Sequence, residues 1–448
     1  MKLRTNLIVA GLTLAYATAA LGAVSAEEAK KLGATLTAIG AEKGGNADGS
    51  IPPYTGGLTT APASYKAGSG VRPSPYADEK PLFSITAKNM DQYASKLTEG
   101  SKALLKKYPT YRMDVYKTHR TVALPKHVLD ATIKNAVTAQ TANGGLSVRN
   151  AKGGIPFPIP KDGYEAMWNH LLAYKGEAYE IRYKYYNVDA AARRTLATEG
   201  IVIQEYPYYF RDNPSKETYL MVNVNYLAPA RRAGESMMLK DPLNMAEAGR
   251  RAWQYLPGQR RVKLAPDVAF DTPDPGAAGM TTYDDNFLYN GSMERYTMKL
   301  IGKKEVYVQY NSYKTNYLAK ADELTMPKHV NPDCVRWELH RVWVVEATLK
   351  PGKRHIYAKR TFYLDEDSWL GLATESYDAR GQLFRTQFAG LTHGYDVMAP
   401  YNELMISYDL IAGVYKFGTE AEGGYIRYNK PRPASFWNPE NMAGSGVR

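Results

Sequence analysis

Between Val335 and Leu349 apolar and polar positions alternate. Val335, Trp337, Leu339, Trp343, Val345, Ala347 and Leu349 share one parity, broken only by Arg341, while Arg336, Glu338, His340, Glu346, Thr348 and Lys350 share the other. A period of two places the two sets on opposite faces of a strand. Lys350-Pro351-Gly352-Lys353 reads as a type II turn, with Pro fixing φ and Gly accepting φ > 0, and His355 to Leu364 reads as the return strand. With only Pro351 and Gly352 in the loop, Ala347 falls opposite Ile356, Val345 opposite Ala358, Trp343 opposite Arg360, Arg341 opposite Phe362 and Leu339 opposite Leu364. Arg341 and Arg360 then become diagonal neighbours on an apolar face. Two readings stay open: edge arginines that stack on Trp343 and Phe362 and reach solvent, or a cationic anchor in an apolar groove for a ligand with an oily body and an anionic head.

The same period governs most of the chain beyond Glu177. Tyr179 to Val188, Gly200 to Phe210, Thr218 to Leu227, Ala252 to Leu256, Arg295 to Ile301, Glu305 to Tyr310, Leu370 to Tyr377, Leu383 to Phe388 and Ile406 to Phe417 read as strands, with Gly302-Lys303 among the turns between them. So many sequential strands with short connections predict a strongly curved meander. The first third differs. Glu27 to Ala41 reads as a short helix, Gly44 to Asp78 as an arm rich in Gly, Pro, Ser and Tyr, Asn89 to Lys107 as a helix, and Pro125 to Gln140 as a helix with Val128, Leu129, Ile133 and Val137 on one face. Asp162, with Glu165 three residues on, predicts the capped start of a further helix whose stripe is Met167, Trp168, Leu171 and Leu172. The fold class expected is β-rich α+β, with residues 27–160 as arm and packing helices and 161–448 as the sheet body.

Met1 to Ala26 has the layout of a cleavable export signal, with Lys2 and Arg4, an apolar run from Leu7 to Leu21 and small residues after it. Nothing later approaches the roughly eighteen consecutive apolar residues of a spanning helix, so the protein is not expected to be integral to the membrane. Cys334 is the only cysteine, which leaves an exported fold to stand without internal disulfides. The formal charge is +12, with doublets at Arg231-Arg232, Arg250-Arg251 and Arg260-Arg261. Export argues against nucleic acid as the partner and leaves anionic headgroups or an acidic ligand, or simple solubility. Tyrosine outnumbers phenylalanine 36 to 10, which predicts half-buried aromatic sheet surfaces.

Chemistry is sparse. The seven histidines form no metal-ligand spacing, and His340 and His355 fall on the polar faces of their strands, which predicts surface positions. No phosphate-cradling loop, nucleophile turn or cofactor motif is present, so no catalytic residue, cofactor or metal is expected. Asp284-Asp285-Asn286 and Asp365-Glu366-Asp367 lack the rest of a calcium loop and read as turns. Cys334 reads as buried or inert.

Several stretches resemble an uncharacterised Gram-negative periplasmic family described as outer-membrane-lipoprotein-sorting-like, itself similar in fold to the lipoprotein carriers LolA and LolB. They are Gly154-Ile155-Pro156-Phe157-Pro158, Arg251 to Val262, Gly302-Lys303-Lys304-Glu305 with Tyr310-Asn311, and Arg336-Trp337-Glu338 through Arg360. Phe362 to Asp365 and Asp378 to Gly381 also resemble the carriers' strand and turn pattern. The resemblance implies an open half-barrel with helices on its concave side, and envelope traffic of a hydrophobic molecule near a membrane exporter. The expectation is a non-enzymatic periplasmic carrier for a lipid-like molecule; the alternative is a scaffold docking an exporter or outer-membrane partner through the arginine doublets. The candidate ligand-binding residues are Trp253, Tyr255, Leu339, Arg341, Trp343, Arg360 and Phe362.

Overall fold

The computed structural model describes residues 24–212 and 214–445. The expected export signal lies outside them except for its last three positions.

Among the described residues, two antiparallel meanders and three attached strands build one sheet of sixteen strands. The first runs through Ala178–Val188, Arg194–Glu205, Thr218–Ala228, Ser236–Pro242, Arg251–Leu256 and Arg261–Leu264. The second runs through Tyr296–Gln309, Trp337–Leu349, Lys359–Asp365, Gly371–Tyr377, Leu383–Ala389, Met405–Asp409 and Val414–Thr419, and its last strand pairs with Ala178–Val188. Phe83–Ile85 and Met113–Val115 attach beside Trp337, and Tyr425–Tyr428 attaches to Ala178–Val188. The two outermost strands, Tyr296–Gln309 and Arg261–Leu264, do not pair with each other, so the sheet stays open. Right-handed twist accumulating over this many strands curls the sheet. The result is the β-rich α+β fold expected, a strongly curved, open half-barrel with helices on its concave side.

Where local turn signals competed with alternation, the strand prevailed once and the turn prevailed once. Gly302-Lys303 is not a turn: Tyr296–Gln309 is continuous, with a bulge between Leu300 and Gly302 that Gly302 absorbs at φ 123. Ile406 to Phe417, expected as one strand, folds into a hairpin. Asp409 closes its turn by accepting from the backbone N–H groups of Ile411 and Ala412.

The central hairpin departs from the predicted register by four residues. Ala347 faces Arg360, Val345 faces Phe362 and Trp343 faces Leu364. An even slip preserves the faces, so the apolar sets still coincide. Arg341 and Leu339 instead pair with Glu305 and Tyr307 on the neighbouring strand, so Arg341 and Arg360 are not diagonal neighbours. The slip has a tertiary cause. His355 Nε2 binds Asp284, the Ile356 N–H donates to Asp271, and Tyr296 OH donates to the Tyr357 carbonyl, which withholds all three residues from the return strand.

The helices are shorter than expected. Glu27 to Ala41 retains only Ala26–Ala29, and Asn89 to Lys107 divides into a 3-10 turn, Met90–Lys96, and an α-helix, Glu99–Lys107, whose cap Thr98 accepts from the Ser101 N–H. In Lys126–Thr138 the buried face is Val128, Thr132, Asn135 and Ala136, leaving Ile133 and Val137 exposed. Thr132 and Asn135 turn inward because they bond the backbone of 152–155. Gly163–Leu171 starts as predicted, with Asp162 accepting from the Glu165 N–H, while Glu165 accepts from the Lys161 N–H rather than from that of Asp162. A Cβ on Gly163 would lie 2.5 Å from the Met298 carbonyl carbon, so glycine lets this helix seat on the sheet.

Tyrosines enter the core more deeply than half-burial. Tyr179, Tyr206, Tyr208, Tyr219, Tyr289, Tyr296, Tyr310 and Tyr313 are all under 2% exposed. Several hydroxyls find carbonyl or side-chain partners, such as Tyr208 on the Gly154 carbonyl and Tyr219 on Asn290, which removes the penalty of burying them.

Candidate functional site

Alternation on four neighbouring strands produces a wall. Ile181, Val202, Val224 and Met237 lie directly opposite one another in sequence, and Tyr179, Gln204, Val222 and Leu239 form the next rung. A third rung joins Tyr183, Gly200 and Tyr226; a Cβ on Gly200 would come within 3.1 Å of the Tyr183 hydroxyl, so the glycine leaves the rings room. This wall, except for Tyr179 and Gly200, bounds a chamber of about 110 Å³.

A strap of irregular backbone, residues 265–292, covers the chamber and contributes Asp274, Tyr283, Phe287 and Asn290 to its lining. Phe287 and Leu288 are both left-handed, at φ 57 and 69, a strained pair for residues with side chains. Their neighbours hold them. The Leu288 carbonyl accepts from Arg360, and Lys175 Nζ sits 4.0 Å from the centre of the Phe287 ring. Asp284 and Asp285, expected as simple turn residues, are the anchor: Arg360 Nη1 and Nη2 reach them at 3.2 and 2.8 Å, and Tyr357 OH donates to Asp285. The Arg360 guanidinium and the His355 ring beside Asp284 hold its carboxyl well below the usual carboxylate range in spite of burial.

Two lysines are buried around this chamber. Lys175 pairs with Glu403 at 3.2 Å, and Glu403 also accepts from Tyr179 and Gln204. Lys416 differs. It is 1% exposed and lines the chamber, donates to Thr281 Oγ1 at 3.2 Å and lies 4.4 Å from the Tyr185 ring centre. Among the described residues no carboxylate oxygen comes within 4.0 Å of it. Burial pushes its ammonium down to about 8, against the pull of the more distant Asp274 and Asp285. The lining is mixed, with Gln204, Arg250, Asp274 and Glu403 among the Tyr, Val and Met side chains, and an ammonium held there at the apolar wall can anchor an anion that brings its own apolar body.

The residues expected from the sequence lie around this chamber rather than in it. Arg360 and Phe362 are fully buried on the strand beneath the strap, with the Tyr289 ring packed on Phe362. Arg341 is paired with Glu366 and bonded to the Gly44 carbonyl, and Trp343 stacks on Trp369. Leu339 is buried in the core. Tyr255, with Trp253 packed alongside, belongs to a separate cluster with Trp437 and Met442 at the far end of the sheet. The structure therefore brings none of the seven into the chamber lining. A signal for the wall was present in the sequence as the alternate apolar residues of Ile181 to Tyr185, Val222 to Tyr226 and Met237 to Leu239. Nothing local marked Lys416: the turn that sets it opposite Ser407 falls inside a segment expected as one strand, and its other neighbour across the sheet, Asn187, comes from a distant strand.

The arginine doublets are partly consumed inside the fold, since Arg232 pairs with Glu235 and Arg250 with Asp241. His340 and His355 are not at the surface. His340 is stacked on Tyr310 and bonded to Glu338, and His355 is bonded to Asp284. His340, Asp365 and Asp367 offer ligand atoms within 4.8 Å of one another, but Arg120 already binds both Asp367 oxygens. Cys334 is free and buried, and burial pushes its thiol up to about 11. A second groove of about 340 Å³ near it is lined by Tyr76, Glu79, Lys314 and Arg336, and Arg336 there is paired with Glu79. Among the described residues no helix is long and apolar enough to cross a membrane.

A family model described as a protein of unknown function (DUF1329) matches residues 84–443. Uncharacterized protein PA3922 of Pseudomonas aeruginosa is 42% identical over 444 residues, covering 96% of each chain. Among solved structures, a putative outer membrane lipoprotein-sorting protein domain from Vibrio parahaemolyticus is similar with a TM-score of 0.41 and 14% identity, covering 60% of this chain and 92% of that one. A DUF1329 family protein from Desulfovibrio piger has a TM-score of 0.41, 12% identity and the same coverage. LolA superfamily protein NE2245 from Nitrosomonas europaea has a TM-score of 0.36 and 12% identity, covering 62% of this chain and 98% of that one. With a family match over most of its length and a relative aligned almost end to end, the chain belongs to the DUF1329 family.

Proposed function

We propose that the protein is a periplasmic carrier or binding protein for a lipid-like molecule with an acidic head, acting in envelope transport and without catalysis. The observation that carries the reading is a buried ammonium, Lys416, facing an apolar wall with no carboxylate of the described residues in contact. Each methylene removed from water contributes about 0.8 kcal/mol, so the wall supplies affinity and the cation supplies selectivity for an acid. The export signal expected at Met1 to Ala26 supports a periplasmic setting.

The chamber of about 110 Å³ is small beside the roughly 300–1,000 Å³ of ordinary ligand pockets. A long acyl chain therefore enters only if the strap lifts from the wall. Arg360 positions the strap through Asp284 and Asp285, and Phe362 packs under Tyr289 beside it. In this reading these two residues set how far the strap can open, while Lys416 binds the head.

Native mass spectrometry of gently purified protein, followed by lipid extraction, tests the proposal. The expected result is a mass excess equal to one acidic amphiphile, and uptake of a fluorescent fatty acid after delipidation. A bare chain that takes up no fatty acid after delipidation contradicts it.

A further inference from the structure

The register carries one row of side chains across the sheet. Phe362 lies opposite Thr374, Thr374 opposite Gln387, Gln387 opposite Ser407, Ser407 opposite Lys416, and Lys416 opposite Asn187. Residues directly opposite share a face, so these side chains stand side by side. Thr374, Gln387 and Ser407 are at most 1% exposed. Even so, Thr374 Oγ1, both Gln387 amide atoms, Ser407 Oγ and Asn187 Oδ1 have no hydrogen-bond partner among the described residues. A buried polar atom left unmade costs about 1–3 kcal/mol, and here five of them fall in one row that includes a cation without a contacting carboxylate.

The strap is tied down on both sides of this row. Thr281 Oγ1 accepts from Lys416, and the Leu288 carbonyl accepts from Arg360. The charged groups around Lys416 are Asp274, Asp285 and Arg385. Asp285 is already engaged by Arg360 and Tyr357, and Asp274 accepts from the Gly276 N–H, so neither neutralises Lys416 at contact. Strands lie about 4.8 Å apart, so the three steps from Lys416 to Thr374 span roughly 14 Å.

We propose that this row reads the head of the guest: an acidic group at Lys416 followed by hydroxyl groups bonded to Ser407, Gln387 and Thr374, with the tail lying on Ile181, Val202, Val224 and Met237. The inference rests on the carrier reading and adds the head chemistry and the orientation of the guest. A bare carboxylate satisfies Lys416 and leaves the rest of the row unmet. A hydroxyl both donates and accepts, which is what an amide and two hydroxyls in line require. Phosphoglycerol and sugar-acid heads share this chemistry.

Competition titrations against a fluorescent fatty acid, using methyl palmitate, palmitate, palmitoyl lysophosphatidylglycerol and hexadecyl glucuronide, test it. The wild-type protein is expected to bind at least one hydroxylated lipid tenfold or more tighter than palmitate. In the double variant Gln387→Leu, Ser407→Ala that ratio is expected to fall to about one, and Thr374→Val is expected to lower it part of the way. Thermal melting checks folding, and replacing unpaired buried polar groups by apolar ones should hold or raise Tm. A wild-type ratio near one, or a ratio unchanged in the variants, overturns the head-reading row while palmitate binding keeps the carrier reading. Failure of all four lipids to bind overturns both.

Discussion

Arg360 and Lys416 are both buried cations in the second meander, yet they are treated in opposite ways. Arg360 meets Asp284, Asp285 and the Leu288 carbonyl, whereas Lys416 meets a hydroxyl and the face of a ring. A cation closed off by carboxylates from its own chain holds a structure together. One left without them, beside a cavity, has capacity for a charge from outside.

Removing each cation should separate the roles most strongly. Arg360→Met takes the guanidinium away from two buried carboxylates and is expected to lower stability by about 3–5 kcal/mol, read as a lower denaturation midpoint with an unchanged slope. Lys416→Met should move the other way. Burial that brings its ammonium from 10.5 to about 8 is itself a cost, so the apolar replacement is expected to gain about 1–3 kcal/mol while losing the preference for an acidic guest. A destabilised Lys416→Met protein would erase the contrast.

The pH dependence sharpens it. The Lys416 proton is held more weakly in the folded chain than in the unfolded one, so below pH 8 both states are protonated and no slope arises from it. Between about 8 and 10.5 the unfolded chain holds more protons, and folding stability should rise with pH. Subtracting the Lys416→Met profile from the wild-type profile isolates that rise, and a flat difference would contradict the unpaired cation.

A smaller effect is expected at the wall. Val224→Phe places a ring in the chamber and should weaken fatty-acid binding at least tenfold while changing stability by less than about 1 kcal/mol, because open space receives the added volume. Smaller still is the effect expected at the helix Gly163–Leu171, where Asp162→Ala removes the cap on Glu165 N–H and should cost about 1 kcal/mol without altering the guest preference.

Much of the architecture was legible because a period of two survives any register. Tyr179 to Val188 and Thr218 to Leu227 were bounded to within a residue of Ala178–Val188 and Thr218–Ala228. The hairpin register was not legible, since Asp271, Asp284 and Tyr296 withhold His355 to Tyr357 from the ladder from outside it. Site residues failed for a related reason. Arg341 and Arg360 looked like free cations because their partners Glu366, Asp284 and Asp285 read as turn residues, while Lys416 sat inside a segment read as one continuous strand. The hairpin turn after Asp409 is what sets Lys416 opposite Ser407.

The most direct test is a paired titration of palmitate and methyl palmitate into wild-type and Lys416→Met protein. The expected result is that the wild type prefers the acid by tenfold or more, and that the variant binds acid and ester alike. An acid preference that survives in Lys416→Met would contradict the assignment of the unpaired lysine as the anchor.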